Sequence, residues 1–483
     1  MKRYEALAEE LVQSIGNGTL KVGDRLPSVR QLSRAHGLSA STVFEAYYLL
    51  EARGLVRARE RSGYYVAAGG AGQAPEAAGL DGELKEALPV AVDELVFSIL
   101  ASVKQRSVVP LGSAFPSPLL YPLERLARML ARGAAAMDPW STVDDIGAGN
   151  LELRRHIAQR YLADGMQVQP DDIVLTNGAL EALNLSLQAV TRPGDAVVVE
   201  SPCFYGALQA LERCGLKAIE VPACPRIGIS LQMLEQALTM YRPAACWLMT
   251  TFQNPLGSTM PEAKKQAMVD MLARAGVPLI EDDVYGELYF GKRRPLPAKA
   301  FDREGMVLHC GSFSKCLAPG YRVGWAMPGR FARKLARLKL TTSLSVSVPV
   351  QVGLCEYLAR GGYDRHLRQL REAFSQQQVA LADAVARHFP PGTRVSRPAG
   401  GFFMWVELPA GSDTLALQRE ACALGISVAP GPMFSARAAF GNCMRLNYGH
   451  PWSGAMASAV ATLGRLAAAQ LAQPAGVAGL AAA

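Results

Sequence analysis

The stretch GSFSKCLAPGYRVGW, residues 311–325, holds one lysine, Lys315, between Ser312 and Ser314 on one side and Arg322 seven residues on. A lysine amine condenses with a carbonyl, while hydroxyls and a guanidinium are ligands for phosphate. Together they suit a phosphorylated aldehyde whose ring acts as an electron sink, and pyridoxal 5'-phosphate (PLP) is such a molecule. Its ring nitrogen needs a carboxylate to stay protonated, its phenolic oxygen needs hydrogen-bond donors, and its face takes an aromatic side chain. Its phosphate is also favoured at a helix N-terminus.

Each demand has a candidate. TNGALEAL, residues 176–183, reads as a turn entering a helix, where the amides of Gly178 and Ala179 would cradle phosphate. EDDVY offers Asp282 for the ring nitrogen and Tyr285 for the phenolic oxygen. QNPLG offers Asn254 for that same oxygen, with Pro255 fixing the turn. SPCFYG offers Phe204 for stacking. Alone, each is ordinary: most lysines are surface residues, an Asp-Asp pair can cap a helix, and a phenylalanine fits a core. Their order along one pattern of strands carries the reading.

A sheet must position them. DIVLTN, AVVVES, KAIEVPA, ACWLMTT, VPLIEDD, MVLHCGS and RVGWAM are short apolar runs separated by amphipathic helices. This pattern predicts an α/β fold over residues 87–471, with a mostly parallel sheet wrapped by helices. After about Pro349 a long helix leads to RVSRPAGGFFMWVELP and CMRLNYGHP, which predicts a small C-terminal α+β subdomain. Residues 472–483 read as a disordered tail. Residues 69–86, GGAGQAPEAAGLDGELKE, carry no helical stripe and read as a flexible linker.

Residues 1–68 are a separate unit. Tyr4, Leu7, Ala8, Leu11, Val12 and Ile15 mark one helix face. Pro27-Ser28 opens a second helix that Gly37 ends, and Ser39 caps a third. Two β-branched runs around Arg61, Ser62 and Gly63 complete the parts of a winged helix-turn-helix. Ser39, Ser41 and Thr42 stand at the start of the third helix, the end that faces base edges in a DNA groove. Arg25, Arg30, Arg57, Arg59 and Arg61 would neutralise phosphates of double-stranded DNA, and Gly63 would let the wing tip come close.

The bulk composition agrees. The chain has 483 residues, 50% hydrophobic and 19% charged, with a net charge of +8. That length calls for two or three domains, and the positive charge permits a nucleic-acid partner. No unbroken apolar run reaches the roughly 18 residues of a membrane helix, and the start MKRYEALAEE is not a signal peptide. Nine cysteines, none in CxxC spacing, read as free thiols of a reducing cytoplasm. The six histidines show no ligand spacing, so no metal is expected.

GDRLPSVRQLSRAHGLSASTVFEAYYLLEARGLV and SGYYV resemble the DNA-binding domain of the GntR family. The resemblance places Arg30, Ser39, Ser41, Thr42 and Gly63 at DNA contacts. Ala40 and Phe44 depart from it, standing where many members carry arginine or a polar residue. SPCFYG, TFQNPLGSTM, EDDVYGELYF, GSFSKCLAPGYRVGW, GGFFMWVEL and MRLNYG resemble fold-type I PLP-dependent aminotransferases. That resemblance implies that Lys315 is the Schiff-base lysine and that Asp282 pairs with the pyridinium. It implies further that Arg445 grips an amino-acid α-carboxylate and that the protein is a homodimer. The two halves in this order resemble the MocR subfamily of transcription regulators, which implies a PLP-dependent DNA-binding regulator answering to PLP or an amino-acid or amine effector. A working aminotransferase acting on amino acids is the competing expectation.

Overall fold

The computed structural model describes residues 3–16, 19–20, 23–52, 55–59, 63–66, 74–77, 79, 84–102, 107–360 and 362–472. In α1 (Arg3–Gly16) the positions Leu7, Ala8, Leu11 and Ile15 recur every three or four residues and are buried. They share one core with Leu32 of α2 (Val29–His36) and with Val43, Ala46, Tyr47 and Leu50 of α3 (Ala40–Ala52). Burying each large apolar side chain contributes roughly 1.5–3 kcal/mol. α2 opens with a reciprocal cap. The Gln31 amide donates to Ser28 Oγ at 3.3 Å, and the Ser28 amide donates to Gln31 Oε1 at 2.7 Å. It ends at Gly37, whose φ of +62° is the left-handed conformation a glycine takes without a Cβ clash. β1 (Val56–Arg59) and β2 (Gly63–Val66) pair antiparallel, completing a winged helix-turn-helix.

The large domain is built on one sheet. Its strands are β3 (Leu88–Pro89), β4 (Val174–Thr176), β5 (Ala196–Ser201), β6 (Lys217–Cys224), β7 (Gly228–Ile229), β8 (Ala245–Leu248), β9 (Leu279–Asp282), β10 (Val307–Ser312) and β11 (Gly324–Met327). The order is β3-β6-β5-β8-β9-β10-β11-β4, with β7 paired to β6. The central run from β6 to β10 is parallel, and β11 and β4 join antiparallel. All seven apolar runs expected to be strands are strands. Helices cover both faces, so both faces are apolar: Val198 enters one core cluster while its neighbours Val197 and Val199 enter the other.

A smaller antiparallel sheet follows, made of β12 (Arg394–Val395), β13 (Phe403–Glu407), β14 (Ala429–Pro430) and β15 (Cys443–Asn447) in the order β12-β13-β15-β14. The 26-residue helix Tyr363–His388 packs against it, with Phe374 and Phe402 ring centres 5.6 Å apart. The helix Gly454–Ala472 is apolar enough, by length and composition, to cross a bilayer, although no unbroken apolar run of that length marks it in the sequence. Here it buries Met456, Val460, Leu463 and Ala467 in the core. The tail read from 472 onward lies, past Ala472, outside the described residues.

The linker reading needs correction. Glu76 forms a parallel bridge with Val395. The Ala77 amide donates to the Val395 carbonyl at 3.0 Å, and the Val395 amide donates to the Pro75 carbonyl at 2.9 Å. Glu76 also pairs with Arg226. β12 is a sheet edge with backbone groups to satisfy, and residues 75–77 satisfy them, so 69–86 is not a free tether along its whole length.

Removing the α2 cap by Ser28→Ala should cost about 1 kcal/mol. Hydrogen exchange of the α2 amides should then quicken about fivefold; unchanged rates would show that Ser28 does not hold the helix end.

Candidate functional site

Lys315 lies in the loop between β10 and β11, beyond the C-terminal ends of the parallel strands. Ser312, the last residue of β10, has its Oγ 2.9 Å from Ser314 Oγ and 3.1 Å from the Val323 carbonyl, and it accepts from the Ser314 amide at 3.0 Å. Arg322, at φ +52°, turns its guanidinium back to donate to Ser314 Oγ at 3.2 Å and to the Asn177 carbonyl at 3.1 Å. This brings the serines and the arginine to the start of the helix Ala179–Val190. The Gly178 amide is already given to the Thr176 carbonyl at 2.8 Å, so Gly178 supplies space rather than a donor. A Cβ there would stand 2.2 Å from Arg322 Nη2. The Ala179 amide begins the helix, where amides have no intrahelical partner. Hydroxyls, a guanidinium and a helix start form an anion cradle.

A cavity of about 700 Å³ opens from the cradle, lined among others by Lys315, Asp282, Tyr285, Phe204 and Ala179. The Lys315 amine donates to the Ala114 carbonyl at 2.9 Å and sits 3.7 Å from the centre of the Phe115 ring. Burial, aided by the charges of Arg445 and Arg322, pulls its pKa down to about 7, against the pull of Asp282. Asp282, at the end of β9, is buried with Oδ1 unpartnered, and burial pushes its carboxyl up to about 7. The Val284 amide and the charge of Lys315 pull the other way, but Oδ1 itself is left without a donor. The half-buried Phe204 presents its ring beside Tyr205, centres 4.9 Å apart. The site therefore fits the ring, the aldehyde and the phosphate expected from the sequence.

Arg445 and Asn254 sit behind this cavity rather than in its wall. Arg445, on β15, is fully buried. It donates to Asn254 Oδ1 at 2.9 Å, to the Gly112 carbonyl at 2.8 Å and to the Ser113 carbonyl at 3.2 Å. Its guanidinium lies 4.1 Å from the Phe403 ring centre. Arg445 Nε and Asn254 Nδ2 are buried without partners. Tyr285 is buried edge-on against Phe402 and Phe403, and burial raises its pKa.

Two groups escaped the sequence reading. Phe115 and Tyr121 come from GSAFPSPLLYP, and Tyr121 Oη donates to the Lys315 carbonyl at 3.2 Å, bracing the lysine loop. No motif marks them, because they reach the site from 200 and 194 residues away. The second is a buried charge network under Asp282. His309 bonds Glu281 through Nδ1 at 2.8 Å and Tyr161 Oη through Nε2 at 2.7 Å. Arg294 pairs with Asp283 at 2.7 Å. Burial works against the charge of Glu281, but His309 and Lys265 hold its carboxyl below the usual range. The flanking acids of EDDVY are thus spent on the network, which leaves Asp282 alone facing the cavity.

In the winged helix, Ser39 Oγ lies 2.9 Å from Ser41 Oγ and 2.8 Å from Thr42 Oγ1, and it accepts from the Thr42 amide at 3.2 Å. Arg25 and Arg30 are exposed. A Cβ at Gly63, at φ +102°, would stand 3.3 Å from Arg25 Nε, so the wing and Arg25 approach closely. The side chains of Arg57 and Arg59, and all of Arg61, lie outside the described residues.

Residues 3–66 match the family "Bacterial regulatory proteins, gntR family", and residues 115–456 match "Aminotransferase class I and II". The HTH-type transcriptional regulator YdcR of Escherichia coli is 47% identical over 96% of this chain and 99% of its own. The chain belongs to the MocR-type branch of the GntR family. The probable rhizopine catabolism regulatory protein MocR of Rhizobium meliloti is 26% identical over 88% of this chain and 86% of its own. Among solved structures, the α-aminoadipate aminotransferase LysN of Thermus thermophilus, complexed with N-(5'-phosphopyridoxyl)-L-leucine, is 30% identical. It covers 79% of this chain and 100% of its own, with a TM-score of 0.71. The MocR-type architecture explains why an aminotransferase fold follows a winged helix here.

Lys315→Ala should abolish cofactor trapping by borohydride after PLP is added; trapping at another lysine would contradict the assignment. The neutral amine is the nucleophile. In the wild type, the rate of absorbance change on adding PLP should therefore rise with pH through about 7 and level off above it. A rate still climbing toward pH 10 would mean an ordinary lysine.

Proposed function

We propose that this chain is a PLP-dependent, DNA-binding transcription regulator of the cytoplasm, acting as a homodimer. One observation carries the reading: a winged helix with exposed hydroxyls on α3 shares its chain with a cavity where Lys315, Asp282 and an anion cradle converge. Membership of the MocR-type branch supports it.

PLP, when bound, supplies an aldehyde open to amines and a ring that withdraws electrons. Lys315 would hold it, and Ser312, Ser314, Arg322 and Ala179 would hold its phosphate. The unpartnered Asp282 Oδ1 would accept from the ring nitrogen. Asn254 Nδ2 and Tyr285 would face the phenolic oxygen, and Phe204 the ring. Arg445 would bind the α-carboxylate of an amino-acid effector, for which a guanidinium is shaped.

The effector has a route to the DNA-binding domain. Arg445 now spends both terminal nitrogens on Asn254 and on the carbonyls of Gly112 and Ser113, with Nε unpartnered. A bidentate carboxylate on Nε and one terminal nitrogen would exchange at least one of those bonds, which would shift β15 against the large domain. β15 and β12 share one sheet, and residues 75–77 are seated on β12. The segment leading to the winged helix is therefore attached to the part that moves. In a dimer, the separation of two winged helices must match the half-site spacing on DNA.

The complete set of Lys315, Asp282 and Arg445 favours a second, weaker reading as an aminotransferase. Footprinting upstream of the chain's own gene, with and without PLP, separates the two. Protection that changes with PLP is expected; steady amino-acid turnover with a keto acid and no protected DNA would overturn the regulator. Arg30→Ala should lower the slope of log affinity against log salt by about one. An unchanged slope would remove Arg30 from the phosphate contacts.

A further inference from the structure

α3 has the sequence ASTVFEAYYLLEA, without arginine, lysine, asparagine or glutamine. Those are the side chains that read guanine or adenine through paired hydrogen bonds. If α3 enters the major groove, its base reading must come from other groups. Val43, Ala46, Tyr47 and Leu50 point into the domain core, while Ala40, Ser41, Phe44 and Glu45 are exposed. Phe44 is 41% exposed despite its size. Its ring stacks on that of Tyr48, with centres 6.2 Å and planes 23° apart, which fixes its direction.

Ala40 and Phe44 are four residues apart, so they lie one above the other on the same helix face. That face begins at the cluster of Ser39, Ser41 and Thr42. This is the end of a recognition helix that meets base edges, whereas Tyr48 lies a turn further back. Glu45 is an acceptor only and would be repelled by phosphates. An apolar pair in the major groove has one complementary group on the bases, the 5-methyl of thymine.

We propose that Ala40 and Phe44 read thymine methyl groups. Operator specificity at those positions then comes from apolar contact rather than from a paired hydrogen bond. This rests on the DNA-binding reading above. Arg25 and Arg30 position the helix through phosphates, which carry no sequence information.

The test uses the full-length protein with PLP. Duplexes are selected from a pool with a randomised core, and each thymine of the recovered duplex is replaced singly by uracil, which removes only the methyl group. At one or more positions uracil should weaken binding about fourfold, the worth of one methyl taken out of water. Phe44→Ala should erase that difference without changing the salt slope, since no phosphate contact is lost. Phe44→Leu should retain part of it. If uracil is tolerated everywhere, or Phe44→Ala still discriminates fully, the proposal fails and the regulator reading stands. If no sequence emerges from the pool, both fail.

Discussion

Arg445 is fully buried, and a buried guanidinium must find its hydrogen bonds inside the protein. It finds them on Asn254, Gly112 and Ser113, residues far away in sequence. Those bonds join the small C-terminal sheet to the wall of the cavity. The bond set is also incomplete, because Arg445 Nε and Asn254 Nδ2 remain without partners. A ligand carboxylate offers Arg445 the charge it lacks, so the same contact that closes the domain is the one an effector would compete for. In the proposed reading, the position of β15 and of its sheet follows which partner Arg445 has.

The rest of the cavity is arranged by the large sheet. Parallel strands deliver Asp282 from β9 and Ser312 from β10 to one edge, where the helix Ala179–Val190 begins. Gly324 permits the approach: a Cβ there would stand 2.6 Å from the Gly178 carbonyl carbon. Beneath, the Glu281–His309–Tyr161 chain and the Arg294–Asp283 pair fix the strand end on both sides of Asp282. Such a network is costly to bury, and Asp283 Oδ1 and Arg294 Nε stay without partners in it. Here it isolates one carboxylate from its acidic neighbours.

Much of this was legible in the residues. Seven apolar runs became strands because both faces of a parallel sheet are buried, and such strands read as unbroken hydrophobic stretches. The α2 boundaries followed from Ser28 and Gly37, whose side chain and lack of one act locally. The cradle was legible because Ser312, Ser314 and Arg322 lie within eleven residues. What could not be read depends on distance. The seat of residues 75–77 on β12, the brace of Tyr121 on Lys315 and the occupied state of Arg445 are contacts between distant segments. Nothing in GGAGQAPEAAG announces a sheet edge waiting for it. His309 looked ordinary because its partners come from two other segments.

The central claim is that the cavity and the winged helix are coupled, and coupling between two ligands is reciprocal. The direct measurement is the affinity for PLP with and without saturating operator duplex, beside the affinity for the duplex with and without PLP. The account predicts that the two ratios are equal and differ from one in the wild type. A PLP affinity indifferent to the operator would contradict it, leaving two sites that share a chain and nothing more.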